Sequence, residues 1–305
     1  MKFGAVFPHS ELANDYGAVK EFAQAVEAMG FNHIVAAEHV LGANTASRPN
    51  WNGPYDLGTV FYDPFVLFSY MAGVTSKLGF VTGVLILPQR QAVLVAKQAA
   101  CLDLLCGGRL RLGIGTGWNE VEYEALGMSF ADRGKMFDDQ IEVLRALWTQ
   151  PAVTYQSALH TVTDAGINPL PRQRPIPLWF GGGGAHGIWK NPKVNRVIRR
   201  IARVGDGWMP PFEPNDEGAE LLDILKTCCQ EYGRNPSEIG LEAHILVQRQ
   251  HERQWADTVE AWRRLGASHV AINTMYDGLS GLAAHLKRFE EVKAILPASS
   301  SQRER

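Results

Sequence analysis

The stretch that most constrains the fold runs from Leu78 to Asn119, LGFVTGVLILPQRQAVLVAKQAACLDLLCGGRLRLGIGTGWN, because it holds a complete strand–helix–strand unit. LGFVTGVLIL is a short apolar run rich in β-branched residues and stopped by Pro88, so it reads as one buried strand. From Val93 to Leu105 apolar residues recur at helical spacing, and Gly107-Gly108 closes that helix as a C-terminal cap. RLRLGIG is the second strand. Two parallel strands joined by a crossover helix imply an α/β protein, whose ligands gather at the carboxyl ends of the strands. Gly83-Val84 and Gly115-Thr116-Gly117 stand at those ends, where glycine lets a flat ring approach the backbone. The plainer alternative is a bulge at Gly83 and an ordinary turn at 115–117.

The rest of the chain repeats this unit. Strands are expected at 2–7, 31–39, 78–87, 109–115, 175–181, 205–210, 237–247 and 269–273. Helices are expected at about 16–29, 63–76, 93–105, 131–148, 191–204, 217–232, 255–265 and 279–295, several of them ended by glycine. Eight alternations predict a single-domain (β/α)8 barrel over residues 1–297, with insertions after strands two and four. The tail, 298–305, is expected to be disordered. A doubly wound open sheet would want Gly-x-Gly-x-x-Gly after the first strand, and none follows Phe7.

A chain of 305 residues with 46% hydrophobic residues can bury a large core, and its formal net charge of -2 gives no reason to expect nucleic acid or an anionic membrane as partner. A small molecule is the expected ligand. MKFGAVFPHS reads as a strand and not as a signal peptide, and no apolar run has the length of a membrane span. Cys101, Cys106, Cys228 and Cys229 form no Cys-x-x-Cys pair, which fits reduced thiols in the cytoplasm and no metal site.

Four features carry candidate chemistry. Val40 to Tyr62 is a long connection with Trp51, Pro54, Tyr55 and Tyr62, the kind of loop that serves as a lid; a disordered insertion is the alternative. Gly181, Gly182, Gly183 and Gly184 lie between a strand and a helix, where free N–H groups and a helix dipole suit a phosphate; four glycines also make a hinge. Lys190, Lys193, Arg196, Arg199, Arg200 and Arg203 make the following helix basic, with Lys193, Arg196, Arg200 and Arg203 on one face. That face is either solvated or a landing strip for a polyanion, with Lys193 and Arg196 nearest the glycine loop. Glu38-His39 ends the second strand: His39 could exchange protons and Glu38 orient it, unless the histidine is structural. His9 is a weaker candidate of the same kind.

The segments KFGAVFPH, GFNHIVAAEH, 61–127, PLPRQRPIPLWFGGG and ARVGDGWMP together resemble the bacterial luciferase-like oxidoreductases, most closely their deazaflavin (coenzyme F420)-dependent branch. The resemblance implies a (β/α)8 barrel with a non-prolyl cis peptide at Gly83-Val84 behind the ring. It implies that Thr116 and Gly117, with Trp118 beside them, contact the cofactor, that Gly181 to Gly183 hold its phosphate, and that His39 sits by the reactive ring. The family's sugar-phosphate dehydrogenases carry a carboxylate where this chain has Trp118, which speaks against that substrate. Since F420 has an oligoglutamate tail and FMN has none, the basic helix favours F420. The expected function is therefore hydride transfer between F420 and a small organic substrate. An FMN-dependent monooxygenase, fed by a separate reductase, is the alternative, and a non-catalytic cofactor-binding barrel is the third. A homodimer follows from the resemblance.

Overall fold

The computed structural model describes residues 1–12, 15–183, 192–249 and 252–296. The first half runs β1 (Lys2–Val6), α1 (Tyr16–Ala28), β2 (His33–Ala36), α2 (Pro64–Ala72), β3 (Gly79–Thr82), β4 (Leu85–Ile86), α3 (Ala92–Leu105), β5 (Leu110–Gly115), α4 (Glu120–Ala125) and α5 (Arg133–Thr149). It continues through β6 (Val153–Gln156), β7 (Thr161–Ala165), β8 (Leu178–Gly181), α6 (Pro192–Val204), β9 (Gly207–Met209), α7 (Asp216–Glu231), β10 (Gly240–Leu246), α8 (Glu252–Arg264), β11 (His269–Asn273) and α9 (Gly281–Ile295). Parallel pairing follows the order β3-β2-β1-β11-β10-β9-β8-β5, and β3 pairs with β5, so eight strands close into the expected barrel. The antiparallel hairpin β6–β7 is the excursion after the fourth barrel strand. The tail 298–305 lies outside the described residues.

Local chemistry explains where elements depart from expectation. LGFVTGVLIL is not one strand: β3 pairs with β2 as far as Thr82, the Gly83-Val84 peptide is cis, and Leu85–Ile86 pairs with β5. Asp63 caps α2 as anticipated, accepting from the Phe65 and Val66 amides, but the helix stops at Ala72. Residues 76–78 bend into β3 instead, and the Glu27 carboxylate accepts all three of their N–H groups. The short α4 was not expected. Asn119 caps it, and Glu120 and Glu122 in its first turn complement the helix dipole. β10 begins at Gly240 and not at 237, since Pro236–Glu238 forms a single turn capped by Asn235.

Two layers are buried. A large apolar shell, including Phe22, Phe68, Phe137, Leu144 and Trp255, fills the space between barrel and helices. Inside the barrel, Val6, Val35, Val81, Trp179, Met209 and Ala271 pack together. Beneath them lies a charge. The Glu242 carboxylate is fully buried, bonded to His33 Nε2 at 2.5 Å and to Arg111 Nη1 at 2.9 Å, while the Arg111 guanidinium covers the Trp179 ring at 4.4 Å. Bare backbone makes room for these groups: a Cβ on Gly4 would stand 2.2 Å from the His33 ring, and one on Gly207 2.2 Å from the Trp179 ring.

Burial is the leading reason that His9, His33, His244, His269 and His285 all sit below the ordinary histidine value, His9 at about 4 and His269 at about 2. Burial works against the Glu242 carboxylate too, but Arg111 and His33 hold it well below the usual range. Both kinds of group favour folding at higher pH. The unfolded chain takes up protons near 6.5 on histidine and near 4.5 on glutamate, while the folded chain does not. Stability should therefore fall continuously as pH drops from 6.5 to 4, by roughly 3 kcal/mol from His9 alone. Urea unfolding at half-unit pH steps checks this; a flat profile over that window would contradict the buried neutral histidines.

Candidate active site

The carboxyl ends of β2, β5 and the loop 40–62 build one cluster. His39 lies just beyond β2 with its side chain 10% exposed, and its Nδ1 stands 3.1 Å from Glu122 Oε1. Glu122 is on α4, 83 residues away in sequence, and is almost fully buried. It also accepts from the Val40 amide at 2.7 Å and from Gln89 Nε2 at 3.1 Å. Burial alone would raise its pKa, but the hydrogen bonds from His39, Gln89 and Val40 hold it below the usual value, so it is an ionised acceptor. The His39 proton is thereby drawn to Nδ1, leaving Nε2 as the nitrogen able to take or give a proton.

Aromatic rings enclose this imidazole: Phe61 at 4.8 Å, Tyr55 at 5.0 Å and Trp118 at 5.5 Å between centroids. The loop is seated by its own contacts. Trp51 packs on Trp118 and donates from Nε1 to the Tyr55 carbonyl, and a Cβ on Gly53 would meet the Trp118 ring at 2.4 Å. The loop thus packs over His39 through Tyr55 and Phe61. His9, only 1% exposed, lies against Phe61 from another side.

Glu38 does not orient His39. Neighbours on an extended chain point apart, and the Glu38 carboxylate turns to Arg90 and to the Ile86 amide at 2.8 Å, while Arg90 also reaches Asp63 at 3.0 Å. Burial pushes the Glu38 carboxyl upward despite Arg90. Its role is to tie β2 to the chain after the cis peptide. Glu122 takes the place expected of it, and the acidic turn after Asn119 was the sequence signal that could have found it.

A second space opens beside the first. A cavity of about 400 Å³ is lined by Gly83, Val84, Gly181, Gly182, Met209, Phe212, Glu213, His244 and Leu246, among other residues. Four of the residues expected to bind a cofactor therefore share one wall. Gly182 and Gly183 have φ of 98° and 96°, the left-handed region that side chains rarely adopt, and the Trp208 indole fixes the turn by donating to the Gly182 carbonyl at 2.7 Å. Thr116, Gly117 and Trp118 do not line this cavity; Trp118 belongs to the His39 cluster, and the Thr116 carbonyl accepts from the Tyr123 hydroxyl at 2.6 Å. Gly184, Lys190 and Lys193 lie outside what can be described, Lys193 as regards its side chain.

The basic face of α6 meets α5. Arg200 and Arg203 share Asp138, at 2.7 and 2.8 Å, and Arg199 pairs with Glu231 at 2.6 Å. The stripe is partly neutralised by the chain itself. A groove of about 410 Å³ between these helices is nonetheless lined by Lys135, Arg196, Arg199, Arg200 and Arg203 against Asp138 as its lining carboxylate.

Residues 1–296 match the luciferase-like monooxygenase family, and the chain belongs to it. An uncharacterized protein of Mycobacterium tuberculosis (strain ATCC 25618 / H37Rv) is 33% identical over 240 residues, which are 76% of this chain and 79% of that protein. The FMNH(2)-dependent dimethylsulfone monooxygenase of Pseudomonas putida is 30% identical over 194 residues, 62% of this chain and 50% of that protein. Among solved structures, an F420-dependent secondary alcohol dehydrogenase in complex with an F420-acetone adduct superposes with a TM-score of 0.73 over 97% of this chain and 99% of its own; at 16% identity this likeness is one of fold.

Glu38 and His39, neighbours at the end of β2, should separate experimentally. Glu38→Ala leaves Arg90 with Asp63 as its remaining carboxylate and the Ile86 amide without its acceptor, and is expected to lower stability by about 3 kcal/mol in urea unfolding. His39→Ala, at a partly exposed ring, should cost about 1 kcal/mol or less. Equal losses would contradict the structural assignment of Glu38.

Proposed function

We propose that this member of the luciferase-like monooxygenase family is an F420-dependent oxidoreductase that moves a hydride between the deazaflavin and a small organic substrate held under the loop 40–62. The residues suit such a group. Gly182 leaves open space where a Cβ would stand, and it lines the cavity beside the Gly83-Val84 peptide. When bound, a deazaflavin supplies a carbon centre that exchanges hydride and reacts poorly with oxygen. In this reading Gly83-Val84 backs the ring, Gly181 to Gly183 hold the phosphate, and His39, oriented by Glu122, takes a proton from a substrate hydroxyl or returns one to a carbonyl at Nε2.

The observation that carries the choice of F420 is the groove between α5 and α6, where five cationic side chains face one lining carboxylate. Even after Asp138 and Glu231 are counted, positive charge is in excess, which suits an oligoglutamate tail. A specific observation favours FMN as the second reading: the curated relative from Pseudomonas putida is named for FMNH(2), and three of the groove's arginines already have carboxylate partners. In that reading a separate reductase supplies the reduced flavin.

We also infer a homodimer. Val66 and Tyr70 on α2 and Leu94 and Leu105 on the adjoining α3 leave large apolar side chains exposed, from 50% to 69%. Such a patch is unusual on a monomer. Leu94→Glu with Leu105→Glu should convert the dimer to monomer in sedimentation velocity.

Titration of the purified protein with F420 and with FMN at two salt concentrations decides between the cofactors. F420 is expected to bind more tightly and to weaken as salt rises, because its tail is held by charge; preference for FMN without salt dependence would move the protein to the monooxygenase reading. His39→Ala should lower turnover by about 10²–10⁴-fold while leaving cofactor affinity within about twofold. Unchanged turnover would remove His39 from the mechanism.

A further inference from the structure

The barrel has a second opening, at the amino ends of its strands and so at the opposite pole from the Gly83-Val84 peptide. Strand alternation fixes which side chains turn into it. Val6, Val35 and Ala271 pack inside the barrel, so Lys2, His33 and His269, an even number of residues earlier on the same strands, face inward as well. Arg111 does so as the register partner of Val81. A barrel of this kind ordinarily fills its interior with branched apolar side chains. Here the layer at the amino end is polar, and with Asn32, Lys77, Arg109 and Asp206 it lines a cavity of about 540 Å³.

Four cationic side chains meet one carboxylate in this cavity. Asp206 is already engaged, accepting from the Leu178 amide at 2.8 Å and from Arg145 at 3.4 Å. Arg111 is answered by Glu242, and Arg109 donates to the carbonyls of Thr75, Leu78 and Cys106, but Lys2, Lys77 and Arg109 have no ion pair among the described residues. Both lysines are exposed, so their ammonium groups are accessible to a molecule in the cavity. Asn32 adds a donor: its Oδ1 accepts from the Phe3 amide at 2.8 Å, while its Nδ2 is neither bonded within the described residues nor shut away from solvent. Burial and then the Arg111 charge hold His269 neutral, and Lys2 acts in the same sense against the pull of Glu242.

We propose that this cavity binds a phosphate dianion, free or carried as the monoester of a small organic molecule, with Lys2 and Lys77 as its counter-charges and Asn32 Nδ2 as a hydrogen-bond donor. Lysine binds phosphate as a point charge, and a concave site with excess positive charge concentrates anions. The volume lies in the range of small-molecule sites, which leaves room for the organic part of a monoester. This site is independent of the cofactor reading, because its residues come from the other end of the strands.

The test is isothermal titration calorimetry of the full-length protein with inorganic phosphate and with glycerol 3-phosphate, at constant ionic strength with chloride as the anion replaced. Wild type is compared with Lys2→Gln, Lys77→Gln, the double variant, and Arg196→Gln in the groove between α5 and α6. Thermal midpoints identify the folded variants, and the single variants carry the test if the double variant does not fold. Saturable binding of at least one probe is expected, weakened about threefold in either single variant, about tenfold or more in the double variant, and unchanged within about twofold in Arg196→Gln. Affinity for inorganic phosphate at least equal to that for glycerol 3-phosphate would mark the free ion as the ligand, and tighter binding of glycerol 3-phosphate would mark a monoester. Absence of saturable binding of both probes would overturn the proposal, as would undiminished affinity in the folded lysine variants or an equal loss in Arg196→Gln.

Discussion

The active end of the barrel depends on the room that glycines leave around Val84. A Cβ on Gly115 would stand 2.8 Å from one Val84 methyl, and a Cβ on Gly181 2.7 Å from the other, so the ends of β5 and β8 can close on this side chain only because both positions are bare. Gly83 is tight for the same kind of reason, with a Cβ reaching Val35 at 2.5 Å. Two of the glycines that look made for a ligand are thus used by the protein's own valine. Gly182 is the one whose missing side chain leaves open space in the cavity. Packing inside the barrel therefore fixes the cavity floor, and any ring lying on it inherits that position.

This explains how much of the site could be read from the chain. Strand ends rich in glycine were visible as a pattern, because the constraint is local to a few residues each. Their purpose was not, because it depends on which strands become neighbours: β3, β5 and β8 meet only after closure. Glu122 shows the same limit. The carboxylate next to His39 in sequence points away from it, and the one that meets it comes from a six-residue helix that hydrophobic periodicity is too short to reveal. What sequence did hold was the cap, Asn119 followed by an acidic first turn, which marks a helix without needing a period.

Charge was legible in amount and not in arrangement. A formal net charge of -2 gives no hint that Glu242 is buried beneath the cavity with Arg111 and His33, groups contributed by three different strands. Removing Glu242 would leave Arg111 and His33 facing each other in an apolar setting, so the triad is best understood as a unit whose members are tolerable only together. Arg196, Arg199, Arg200 and Arg203 do share one helix, α6, yet the carboxylate partners of the last three, Asp138 on α5 and Glu231 on α7, arrive through helix packing. Those contacts turn an apparent stripe of free charge into a groove with a smaller excess.

The division of labour between barrel and periphery follows. The features inside the barrel mouth, namely the cis Gly83-Val84 peptide and the glycine turn held by Trp208, would on the proposed reading serve a flat ring and a phosphate, which flavin and deazaflavin have in common. A site built from them has no means of telling the two apart by shape. On the proposed reading, discrimination would come from where the cofactors differ in charge and extent, beyond the phosphate, and the groove between α5 and α6 is a described surface with excess positive charge. Because Asp138 lines the groove and holds two of its arginines, that carboxylate also opposes an anion entering it. Affinity for a polyanionic tail would then be set by competition between the tail and Asp138 for the same guanidinium groups. On that reading, cofactor choice would rest on a few helix-surface positions, free to change while the barrel floor around Val84 stays fixed.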